Sequence, residues 1–145
     1  MTKFLKNLKK DERGLTLIEL LAVVVILAIV AAIAFVLIGN VIENSKKDAV
    51  ISDALQLISS AKLHEAATGE KLGTDGITAE KLQEDELLGD LMDPWSKDKA
   101  NITESEVTKT GKEYFVTHKV GACEKIVGTP EAELLAKDAR KNVCE

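Results

Sequence analysis

The chain has 145 residues, room for one small domain beside any long apolar segment. Its net charge of −5 is unevenly spread: residues 1–14 carry five basic and two acidic side chains (+3), leaving 14 basic and 22 acidic (−8) on 15–145. That acidic remainder argues against a broad nucleic-acid-binding face, since neutralising phosphates takes clustered Lys and Arg, and 3% aromatic content leaves little for a stacking platform.

Residues 1–13, MTKFLKNLKKDER, form a polar basic leader. After Glu19 come 19 consecutive apolar residues, 20–38, with no charge, Pro or Gly. At about 1.5 Å rise per residue, a helix of that length covers the roughly 30 Å hydrocarbon core of a bilayer. A basic flank held in the cytoplasm places the C-terminal part outside. A secretory signal is the competing reading, but the apolar stretch is long for one, and Ala31, Ala32 and Ala34 offer only a poor cleavage site inside it.

The start of the run is more specific than a generic anchor. Gly14 closes the leader, Leu15-Thr16-Leu17-Ile18 follow, and Glu19 puts a carboxylate inside the apolar stretch. A carboxylate near the end of a spanning helix costs a few kcal/mol unless it snorkels or finds a partner.

KDERG followed by LTLIELL resembles the N-terminal signature of type IV prepilins and their pseudopilin relatives, over roughly residues 9–40. The resemblance implies that a membrane peptidase cuts between Gly14 and Leu15, that Leu15 is N-methylated, and that Glu19 serves assembly. Such a cut would create an α-amine about one helical turn from Glu19, and in a bundle of identical helices one subunit's amine could then meet the next subunit's glutamate and fix axial register. Leu15 stands where Phe is more frequent in the family, Ala28 where many relatives have Gly, and Val36 where most have Pro. Without those two helix breakers, a straighter and more continuous helix is expected.

Beyond the run, Val50, Ile51, Ala54, Leu55, Ile58 and Ala61 recur at spacings of three and four, with Lys46, Lys47, Asp48, Asp53, Gln56 and Lys62 on the complementary face. One helix over about 15–68 and roughly 80 Å long is the first reading, stopping at Thr68 and Gly69. Two helices joined at Gly39 and Asn40 are the alternative. The chain then divides into leader 1–14, transmembrane or polymerisation helix 15–38, amphipathic half 39–69 and head 70–145.

In the head, Thr78 starts a helical segment over 79–91, with Leu82, Leu87, Leu88 and Leu91 inward, and Asp93-Pro94 marks a turn. Trp95 is expected as a lid over the small core. Two strands, 101–109 and 113–119, flank Thr110-Gly111-Lys112 as a hairpin, alternating through Val107, Tyr114 or Phe115, and Val116. A further strand is expected over 125–127. Thr129 as N-cap and Pro130 as first helical residue then open a helix reaching Asn142, with Leu134, Leu135 and Ala139 inward. The fold class is α+β: a long N-terminal helix packed on a small head with an antiparallel β-hairpin or sheet.

Cys123 and Cys144 bracket that last helix in the exported part, a location that permits a disulfide, with two free thiols as the alternative. The arrangement also resembles the disulfide-bounded C-terminal loop of many type IV pilins. A zinc site from His64, His118, Cys123 and Cys144 lacks the close ligand pairs that nucleate one, and calcium at Thr74-Asp75 or near Asp90 and Asp93 has no EF-hand spacing. Ser59, Ser60 and His64 lack a placed acid for hydrolysis, and Asn101-Ile102-Thr103 is a glycosylation pattern common by chance. No catalytic residues, metal or cofactor are expected.

The functional expectation is a structural subunit of a pilus-like filament for adhesion, motility or DNA uptake. A competence or type II secretion pseudopilin is the alternative, and a monomeric membrane-anchored binding module the alternative of another class. Implied partners are further copies of the chain, the prepilin peptidase and methylase, the platform protein and ATPase of an assembly machine, and the membrane before assembly, with no direct nucleic-acid binding. The N-terminus would be cytoplasmic and the head extracytoplasmic before assembly, and the product an extracellular or envelope-spanning filament.

Overall fold

One helix, α1 (Thr2–Thr68), dominates a computed structural model that describes residues 2–144, with side chains from Thr16 to Cys144. No Pro interrupts it, and helical structure passes through Gly39 and Asn40, so the two-helix alternative does not hold. A single Gly costs a helix about 1 kcal/mol against Ala, too little to break one flanked by strong formers. The chain divides into two units, Met1–Ile42 and Glu43–Glu145.

In the first unit, the described part of α1 is long and apolar enough to cross a membrane, and none of its most apolar window is buried. Residues apolar all round a helix have no solvated face to offer, which suits lipid or like helices rather than water.

In the second unit, α1 supplies one face of the core. Val50, Ala54, Leu57, Ile58 and Ala61 are fully buried and Ile51 nearly so. The inward stripe therefore includes Leu57, whereas Leu55, expected inward, is only partly covered. Spacings of 4, 3, 1 and 3 keep those five side chains within one stripe of a 3.6-residue helix. Ser60 joins the face by donating its hydroxyl to the Leu87 carbonyl at 2.8 Å.

The head adds β1 (Ile77–Thr78), α2 (Ala79–Glu84), β2 (Glu106–Thr110), β3 (Glu113–Thr117), β4 (Thr129–Pro130), α3 (Glu131–Leu134) and α4 (Ala139–Val143). The strands form one antiparallel sheet in the order β1-β2-β3-β4. Register aligns Ile77, Val107, Val116 and Thr129 in one cross-strand row, all four buried. With side chains alternating between faces, Tyr114 shares the side of Val116 and Phe115 takes the other.

Several local expectations are revised. Thr78 does cap α2, its hydroxyl accepting from the Lys81 amide at 3.3 Å, but the helix stops at Glu84 rather than running to Leu91. Glu86 adopts φ 57°, and the Leu87 and Leu88 amides turn back to the Leu82 carbonyl at 2.9 and 3.1 Å, so the leucines reach the core from a turn. Strand β2 begins at Glu106 instead of 101, because the Thr103 amide bonds the Asn101 side chain and the Ser105 amide the Ile102 carbonyl. Strand β3 ends at Thr117, short of 119.

No strand covers 125–127; Ile126 is buried there and accepts one backbone bond from His118 at 2.9 Å. The fourth strand is Thr129–Pro130, where a helix start was expected. Pro lacks a ladder donor and is tolerated on this outer strand. Pro130 is thereby the N-cap of α3, and the single helix to Asn142 is instead two short ones. Leu134 and Ala139 are buried, but Leu135 is 67% exposed.

Cys123 and Cys144 are joined by a disulfide across α3 and α4. Both are buried in the core. Closing about 20 residues removes unfolded-state entropy worth about 3 kcal/mol, a useful share for a head this small.

Candidate functional site

The expected cleavage and methylation positions, Gly14 and Leu15, lie outside the residues whose side chains are described. Glu19 is described and is exposed on α1, between Ile18 and Leu20, each 66% exposed. After it the helix presents an apolar surface without a break, from Leu20 to Ile38, with Phe35 83% exposed. Eighteen large apolar side chains between Leu17 and Ile42 are open. At about 1.5 kcal/mol or more for each one covered, their burial is worth tens of kcal/mol. Such a surface suits enclosure by lipid or by other helices. Ala28 and Val36 lie within uninterrupted helix, matching the expectation from their lack of breaking character.

In the head, a polar cluster ties the end of α1 to the sheet. Lys109 donates to both carboxylate oxygens of Glu65 at 2.7 and 2.8 Å, and the Tyr114 hydroxyl donates to Glu65 at 2.6 Å. The ammonium of Lys109 lies 4.7 Å from the Tyr114 ring centroid, and that of Lys62 5.0 Å away. Lys62 also donates to Glu131 of α3 at 2.6 Å. The bonds from Lys109 and then Tyr114 hold the Glu65 carboxyl below its ordinary range, and the same contacts raise Lys109. No local spacing in the sequence marks this cluster, since Lys109, Tyr114 and Glu131 lie 44, 49 and 69 residues from their partners on α1.

Several residues considered for metal or hydrolytic chemistry have partners inside the head. His64 Nε2 lies 3.2 Å from Asp85, Asp90 pairs with Lys99 at 2.8 Å, and Asp93 accepts from the Trp95 amide at 2.8 Å. Among the described residues, no group of three or more His, Cys, Asp or Glu is placed to hold a metal ion. Trp95 lies half-buried against the core, as expected, with its indole N–H 3.3 Å from both Glu43 carboxylate oxygens.

His118 is fully buried, with Nδ1 2.9 Å from the Ser105 hydroxyl and no partner at Nε2. Burial pushes it from 6.5 to about 4. Above pH 6.5 it is neutral in both folded and unfolded states. Between 6.5 and 4 the unfolded chain takes up a proton the fold excludes, so stability falls with pH, by about 3 kcal/mol in all. Asp53 opposes this, since its carboxyl is raised by burial, whereas Glu65, whose carboxyl is lowered, adds to the loss of stability, but only as pH falls further. His118→Gln is therefore expected to flatten the pH 6.5 to 4 limb of denaturant-unfolding stability relative to wild type. An unchanged limb would assign the acid sensitivity elsewhere.

The prokaryotic N-terminal methylation motif matches residues 9–35, a stretch that contains Gly14, Leu15 and Glu19. No match was found among curated proteins or among solved structures.

Proposed function

The methylation motif supports a type IV prepilin- or pseudopilin-like protein, and from that premise we propose that the chain is a structural subunit of a pilus-like filament. The motif implies processing by prepilin peptidase and assembly into a type IV filament system, and its class is structural rather than enzymatic. Together with the apolar helix it points to a membrane-anchored protein.

In this reading the peptidase cuts after Gly14, Leu15 becomes the methylated first residue, and the subunit waits in the bilayer with its head outside. The observation that carries the proposal is the methylation motif set directly on a helix whose apolar surface is open all round. A single anchor needs only lipid contact. A filament core needs the same surface to pack against copies of itself once lipid is left behind. Glu19 then meets the α-amine of a neighbouring Leu15, a charge-assisted contact that sets the rise between subunits. The paired cysteines and the well-formed head favour a pilus subunit over a pseudopilin.

Gly14→Val tests the cleavage. Mass spectrometry of the membrane fraction is expected to show only full-length precursor, and sheared surface material to contain no subunit. Wild-type material should begin at Leu15 and be one methyl heavier. Normal processing and full surface assembly of Gly14→Val would overturn the proposal in favour of a plain anchored module.

A further inference from the structure

Beside α4 a cavity of about 200 Å³ is lined by Asn44, Lys137, Asp138, Arg140 and Lys141. Three of its five lining residues are cations, on a chain whose remainder after residue 14 is strongly acidic. Asp48 accepts from Arg140 Nε at 3.1 Å, fixing that guanidinium by one edge. Lys137 and Lys141 have no ion-pair partner among the described residues and remain exposed. Against Asp48 and Asp138, the three cations leave an excess of one positive charge.

The position of Asn44 gives this excess a meaning. Asn44 is six residues past Ile38, the last residue of the apolar run. Six residues reach about 9 Å as helix and about 20 Å fully extended. If 20–38 occupies the hydrocarbon core, covalent continuity alone keeps Asn44 within reach of the headgroup layer, whatever the disposition of the head. A mixed lining of ammonium, guanidinium and amide donors suits a phosphate diester: Arg provides a fixed planar fork, and Lys a mobile point charge.

We propose that this cavity binds the phosphate of an anionic phospholipid headgroup on the face of the membrane from which the head emerges. The contact would hold the unassembled subunit's head close to the bilayer, and extraction into a filament would release it. The inference rests on the membrane placement of the apolar run and not on polymerisation, so normal processing and assembly of Gly14→Val, which overturns the filament reading, leaves it standing.

The test uses the full chain in neutral detergent micelles, with short-chain phosphatidylglycerol, short-chain phosphatidylcholine and inorganic phosphate as probes and native mass spectrometry reading bound lipid. The apolar helix takes up both lipids, so the informative quantity is the preference between them. Wild type is expected to prefer phosphatidylglycerol, and Lys137→Gln with Lys141→Gln to lose roughly thirty-fold of that preference. Lys112→Gln with Lys125→Gln removes the same charge from exposed positions outside the cavity and is expected to retain it. Three outcomes would overturn the proposal: an unchanged preference in the cavity variant, equal loss in the control, or displacement of phosphatidylglycerol by an equal concentration of inorganic phosphate. The last would assign the cavity to free phosphate.

Discussion

On the proposed filament assembly, Glu19→Val is expected to enter the membrane and be cleaved after Gly14 as the unsubstituted chain would be, yet to yield less than about a tenth of its filament, since an unpaired buried amine costs about 3–5 kcal/mol. The reason lies in what the substitution leaves behind. Valine improves the helix's fit to lipid, so insertion does not suffer. In the filament core, however, each Leu15 amine would lose its carboxylate in a setting where no other acid is at hand, because residues 20–38 that follow Glu19 are all apolar. Glu19→Gln separates charge from shape, keeping a hydrogen-bond acceptor of nearly equal volume, and is expected to fall between the two. Quantifying sheared filaments by immunoblot against total subunit gives the result. Wild-type yield from Glu19→Val would dispose of the pairing, though not of polymerisation itself.

The largest expected effect on the head comes from one hydrogen atom. Gly121 has φ +53°, and a Cβ there would lie 2.1 Å from Trp95 Cε3 and 2.5 Å from Cζ3. Gly121→Ala must expel the indole from its place on the core, breaking its contacts with Glu43 and with the Lys46 ammonium 5.8 Å from the ring. Displacing an aromatic side chain of that size, with left-handed strain added, is expected to cost about 3–5 kcal/mol. Gly111→Ala supplies the comparison: its φ is +65° but nothing lies within 4 Å of the added carbon. It is expected to lose only about 1 kcal/mol. Trp95 is the only tryptophan, so its fluorescence in urea reports both variants directly. Equal destabilisation by the two would show that backbone strain, not the indole contact, governs this corner.

Both effects trace to features of different legibility. Glu19 stands out in the sequence because a carboxylate in an apolar run breaks a pattern that needs no partner to be seen. The contact of Gly121 with Trp95 carries no such mark. Twenty-six residues separate them, and only the packed head shows that the glycine is required by a ring rather than by a turn. The same distinction explains the head's revised boundaries. Thr78 was readable as a cap because its bond to the Lys81 amide is local. Thr129-Pro130 read locally as a helix start, yet pairing with Phe115 and Val116 draws it into the sheet. Local preference there amounts to fractions of a kcal/mol, and burial of Thr129 beside Val116 outweighs it.

The long helix, the apolar run, the N-terminal methylation motif and the hairpin were legible from the chain alone, because each rests on periodicity or on neighbours a few residues apart. Tertiary structure alone decided that Leu57 rather than Leu55 completes the core stripe, that Glu65 gathers Lys109 and Tyr114, that His118 is held neutral, and that Asn44 shares a cavity with Lys137, Arg140 and Lys141. Those relations join residues up to nearly a hundred positions apart. Their energies appear only once the chain excludes water between them, and no local pattern records which partners will meet there.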